Sequence, residues 1–165
     1  MKADLDRLMH ERSLDALVLF PTEFEDPYRA YLSGGAHFSG GTVKRRGEPP
    51  VLISNAMEIE EAARSGLTVY STEDFGESEL MRTFRDDPDG RQVAYYRRVF
   101  DRLGVAGRVG VYGAGDANVI LRLVGLLSEA FSGQVEFVTE TVRSTIFDAA
   151  YETKDPAELA ALREV

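Results

Sequence analysis

Short apolar runs recur along this chain, and stretches with helical spacing lie between them. That alternation limits the possible folds more than any other feature. Runs of this length, bounded by glycine, proline or polar residues, read as buried strands rather than core helices. Leu14 to Phe20 (LDALVLF) is the strongest, and Pro21 ends it. Thr42 to Arg46 and Val51 to Ser54 flank Gly47 to Pro50 and read as a hairpin. Leu67 to Tyr70, Arg108 to Tyr112 and Val135 to Val138 complete the strand set. Helices are expected over 3–13, 57–65, 91–103, 117–131 and 142–150, and a short one from Asp26 and Pro27 to a stop at Gly34. Strands alternating with helices, plus one hairpin, predict an α/β fold. The form expected is a three-layer α/β/α domain on a mixed, mostly parallel sheet. Ser71 to Gly90 is polar and acidic and is expected to be loop, with a short helix near Leu80 to Phe84 and a turn at Pro88 to Gly90.

Composition excludes several functions. The chain has 165 residues, of which 44% are hydrophobic, so it can bury a core. Its formal net charge is -9, which argues against nucleic acid as a partner. It has no cysteine, which removes disulfides and thiolate metal sites. No run of about 18 apolar residues suggests a membrane span, and the N-terminus lacks the apolar core of a signal peptide. A cytoplasmic protein without membrane contact is the expectation.

Each chemical motif competes with a plainer account. Gly113 to Asn118 follows a strand and precedes a helix, as a dinucleotide fingerprint would. Asn118 stands where that fingerprint has Gly or Ala, and a strand-to-helix turn capped by Asp116 is the better reading. The loop Gly34 to Gly41 is rich in glycine and contains His37 and Phe38. It could line a substrate pocket, but it has no Lys or Arg for an anion. Asp86 to Gly90 lacks the ligand set of a calcium loop and reads as an acidic turn. Glu58, Glu60 and Glu61 suit the start of a helix and read as a solvated face. His10 and His37 have no metal-ligand spacing between them, and no GxSxG motif exists. The chain's own residues predict no catalytic centre and no metal site.

The last stretch, Tyr151 to Val165, reads as a helix start. Asp155 is placed as the cap, Pro156 at the first helical position and Glu158 as the capping-box acid. Leu159, Leu162 and Val165 form one apolar stripe.

Three stretches together resemble the N-terminal domain of the creatinase, prolidase and aminopeptidase P family. Arg7-Leu8 with Leu14 to Leu19 is similar to the family's opening helix and "glDAllv" strand. Tyr31 to Gly34 is similar to its "YLTG" segment, and Glu152 to Arg163 to its linker helix. Ser33 stands where Thr is usual, Gly35 where an aromatic is common and Tyr151 where many relatives have Arg, which leaves the subfamily open. The resemblance implies a domain over 1–150 and a linker helix over 151–165. That helix would lead into a pita-bread catalytic domain outside this chain, an Xaa-Pro dipeptidase or aminopeptidase. The catalytic domain would hold two divalent metal ions (Mn, Co or Zn) on two Asp, one His and two Glu. The implied partners are that domain, a second copy in a homodimer and a proline-containing peptide. The implied roles are substrate gating and dimerisation, with Tyr31, His37 and Phe38 as candidate substrate-lining residues. The alternatives are a non-catalytic peptide- or protein-binding module of the same fold, a creatinase-type hydrolase, and a nucleotide-binding domain using Gly113 to Asn118.

Overall fold

A computed structural model describes residues 2–141 and 143–152. The elements run α1 (Lys2–Glu11), β1 (Ala16–Leu19), α2 (Pro27–Ser33), β2 (Gly41–Arg45), β3 (Val51–Ser54), α3 (Ile59–Ala63) and β4 (Thr68–Ser71). A 3-10 turn over Thr72–Phe75 follows. Next come α4 (Glu77–Thr83), α5 (Pro88–Leu103), β5 (Gly107–Tyr112), α6 (Ala117–Ala130), β6 (Val135–Val138) and α7 (Ile146–Glu152). The strands form a six-stranded sheet in the order β4-β3-β2-β1-β5-β6. Only β2 runs against its neighbours; β1–β5, β5–β6 and β3–β4 are parallel pairs. This is the expected mixed, mostly parallel sheet with one hairpin.

The run LDALVLF becomes a strand because β1 is central and covered on both faces, so all four of its residues are buried. Alternation divides its side chains between two cores. Ala16 and Val18 pack with Val43, Val109, Val99, Phe100, Leu127 and Phe131, under α5 and α6. Leu17 and Leu19 pack with Leu5, Met9, Leu32, Ile146 and Phe147, under α1, α2 and α7. Register places α3 on that second face as well. Leu52 pairs with Thr42 and Thr42 with Leu19, and Leu52 packs on Ala62 of α3. Helices therefore cover both faces, giving three layers.

The 71–90 stretch is more helical than its polarity predicts. Ser71 and Asp74 form a capping box over the 3-10 turn, and Gly76 takes the left-handed conformation (φ 72°) between that turn and α4. Pro88 to Gly90 is not a turn but the first turn of α5. The Asp87 carboxylate accepts from the Gly90 N–H at 2.9 Å, and Pro88 occupies a position that needs no donor. The expected helix over 142–150 begins later, at Ile146. Glu140 accepts from the Ile146 N–H (2.7 Å) and Asp148 from the Thr145 N–H (2.8 Å), while Arg143 adopts a positive φ of 63°. The helix expected over 57–65 is confined to Ile59–Ala63; Asn55 instead caps the turn before it, accepting from the Met57 and Glu58 N–H groups. Helix α7 runs through Tyr151 to Glu152. The expected cap at Asp155 and the apolar stripe beyond it lie outside the described residues.

Candidate functional site

Four connections meet at the end of the sheet where β1, β3 and β5 finish: those after β1, before β2, after β3 and after β5. Two buried side chains, Asp26 at the N-cap of α2 and Arg29 within it, join three of them. Asp26 caps α2 with one oxygen, accepting from the Tyr28 and Arg29 N–H groups at 2.9 and 3.2 Å. Its other oxygen accepts from Ala114 N–H at 3.2 Å, in the turn after β5. Arg29 is 4% exposed. Its guanidinium donates to the carbonyls of Phe38 (2.7 Å), Thr22 (3.3 Å) and Phe20 (3.5 Å), and lies 3.9 Å from Asp26. It also lies over the Phe38 ring, 5.4 Å from its centroid. Burial lowers the Arg29 pKa, and the Asp26 and Glu58 carboxylates oppose that shift and favour the cation. Its Nε is buried without a hydrogen-bond partner among the described residues.

Glu58 belongs to this arrangement and not to a solvated face. Its carboxylate accepts from the Ser39 hydroxyl (2.7 Å), the Ser39 N–H (3.2 Å) and the Asn55 amide (2.8 Å). The Ser39 hydroxyl bond holds its pKa below the usual carboxylate range, helped by the Ser39 N–H, Asn55 and the charge of Arg29. Glu60 is exposed and Glu61 pairs with Arg64, so the acidic trio divides into one tether and two surface groups.

The glycine turn after β5 behaves as a helix start. Asp116 accepts from the N–H groups of Asn118 (2.8 Å) and Val119 (3.2 Å) and caps α6. Ala114 N–H already faces the Asp26 carboxylate, which stands where a phosphate oxygen of a dinucleotide would need to sit.

Of the three residues proposed from the sequence as substrate-lining, Tyr31 and Phe38 pack in different clusters. Tyr31 packs edge-on against Phe147 (5.9 Å) and Tyr151 (5.0 Å) on the α7 side. Phe38 is 7% exposed and packs with Leu52 and Ala62. His37 is exposed at the loop tip. Among the described residues, no group of three or more His, Cys, Asp or Glu is placed to hold a metal ion.

An opening lies beside the Arg29 tether, under α4, α5 and α6. It is a cavity of about 460 Å³, with Val18, Phe20, Ile53, Val99 and Leu123 among its apolar walls. Asn55, Glu77, Arg91, Tyr95 and Asp116 supply polar groups, and Ser39 to Gly41 form one side. Burial raises the Tyr95 phenol pKa, and the charge of Glu77 adds to the shift. Sequence reasoning missed Glu77, Arg91 and Tyr95. They carry no motif, and Glu77 falls in a stretch read as loop.

No family model and no curated protein sequence matches this chain. Among solved structures it is similar to the crystal structure of a dipeptidase from Pyrococcus horikoshii OT3, with a TM-score of 0.58 at 14% identity. The match covers 96% of this chain and 38% of the dipeptidase, so the likeness is one of fold. No described helix is long and apolar enough to cross a membrane.

Proposed function

We propose that this chain is the N-terminal accessory domain of an Xaa-Pro dipeptidase or aminopeptidase of the creatinase and prolidase type, serving substrate gating and dimerisation. One observation carries the reading: nearly the whole chain, 96%, superposes on little more than a third of a dipeptidase. The order of the YLSG segment and the Glu152 to Arg163 stretch supports the N-terminal position. On this reading the hydrolytic metal ions and their ligands belong to the rest of the enzyme, with which the chain pairs. The exposed loop tip at Gly34 to His37 is the part that would face the proline-containing peptide. A creatinase-type parent fits the same domain and differs only in what the second domain cleaves.

The test is to read the native coding sequence past Val165. The expected result is a second domain with two Asp, one His and two Glu in that order. A stop codon after Val165 would overturn the peptidase reading and leave a non-catalytic binding module. An independent check incubates the purified 165 residues with an Xaa-Pro dipeptide and Mn(II) or Co(II). No proline release is expected, and metal-dependent release would refute an accessory role.

A further inference from the structure

The cavity under α4, α5 and α6 is not used by the accessory role, and its position invites a ligand. It opens at the carboxyl ends of β1 and β3. There β1 lies between β2, which follows it in the chain, and β5, which returns on its other side. In open α/β sheets such a switch point is where small molecules bind. The volume of about 460 Å³ is in the lower half of the range for ligand pockets, roughly 300–1,000 Å³, and suits a small molecule.

The charges on its wall define the class of ligand. Arg91 and Glu77 are both half-buried and both line the cavity. Neither has an opposite charge within 4.0 Å among the described residues, so they do not neutralise each other. Their neighbours are differently occupied: Asp89 pairs with Arg122, Glu79 with Arg98, and Asp116 caps α6. A half-buried charge with no partner is unfavourable, and two of opposite sign lining one cavity call for a partner carrying both signs. A simple anion on Arg91 would also meet the field of Glu77, and a simple cation on Glu77 that of Arg91. Met81, Val119 and the partly exposed Tyr95 and Ile120 give the opening accessible apolar surface for a hydrocarbon body.

We infer that this cavity binds a small zwitterion with an apolar body, a free α-amino acid with a large apolar side chain. Its carboxylate pairs with Arg91, its ammonium group with Glu77, and its side chain packs on Met81, Val119 and Ile120 at the mouth of the cavity. This inference does not rest on the peptidase reading.

The experiment titrates the isotope-labelled 165-residue chain with L-phenylalanine and follows the amide resonances. Saturable shifts are expected at Gly40, Gly41 and Gly115 and at the Asn55 side chain. Two single-charge probes, 3-phenylpropionate and phenethylamine, are each expected to bind at least about tenfold more weakly, a loss of about 1.4 kcal/mol. Arg91→Gln should weaken L-phenylalanine about tenfold and leave phenethylamine unchanged; Glu77→Gln should weaken it while sparing 3-phenylpropionate. No saturable shift up to about 10 mM overturns the site. Equal binding of all three probes by the unaltered chain overturns the zwitterion assignment without needing either variant to fold, and so does unchanged binding by both folded variants.

Discussion

At the scale of single residues, Arg29 does more for the candidate site than any side chain with obvious chemistry. It holds Phe20, Thr22 and Phe38 by their carbonyls and so connects the strand end to the glycine loop. Arg29→Met removes those bonds and the cation beside the buried Asp26 carboxylate. A loss of about 3 kcal/mol is expected in urea unfolding, and Arg29→Lys should restore little because an ammonium group cannot reproduce the planar fork. Glu58 gives a prediction with a pH sign. Its folded pKa is depressed, so its stabilisation is complete above the unfolded value of about 4.3 and disappears as pH falls through the lower folded value. Glu58→Gln should therefore cost about 1 kcal/mol at pH 7, a figure reduced for partial exposure, and progressively less as pH falls below the ordinary carboxylate range. A larger deficit at pH 3 than at pH 7 would contradict this linkage. Neither tether was legible in the chain. A lone Arg after a cap and a Glu before a helix are common surface residues, and their partners are distant in sequence.

At the scale of elements, caps decide what polarity obscures. The stretch 71–90 is rich in acids, yet Ser71, Asp74 and Asp87 start helices there because each side chain accepts a backbone N–H that would otherwise be free. Asp87→Ala should destabilise the protein by about 1 kcal/mol with an unchanged denaturant slope, and Asp87→Asn by much less. The approach of the glycine loop to β3 is more stringent. A Cβ on Gly40 would lie 1.9 Å from the Ile53 carbonyl oxygen, a backbone atom that cannot move without breaking the β2–β3 hairpin. Gly40→Ala is expected to abolish folding or lower stability by more than about 3 kcal/mol, read as loss of the cooperative thermal transition. By contrast, the short helix stopped by Gly34 follows from local signals alone. Asp26 caps it, Pro27 opens it and Gly34 closes it at φ 73°, all within one short segment.

At the scale of the whole molecule, β1 couples two cores. Leu17 belongs to the one under α1, α2 and α7, and Val18 to the one under α5 and α6, one residue apart. Damage to either core should therefore lower a single shared transition. Leu17→Ala is expected to cost about 3 kcal/mol, and Val99→Ala, on the other face, somewhat less. In both variants circular dichroism and tyrosine fluorescence should lose their signals at one denaturant concentration. Separate transitions for the two probes would show that the layers fold independently.

Local pattern was enough for the strand set, the hairpin, the Asp116 cap and the three-layer class. These depend on apolar runs, turn residues and caps that act within a few positions of one another. Where β1 sits in the sheet, which glutamate is tethered to the glycine loop, and how Glu77 and Arg91 come to share a cavity were decided by tertiary packing. The groups that meet there come from α4, α5 and the ends of β1 and β3. Chain reversals at unmarked positions bring them together, and those contacts carry no local periodicity.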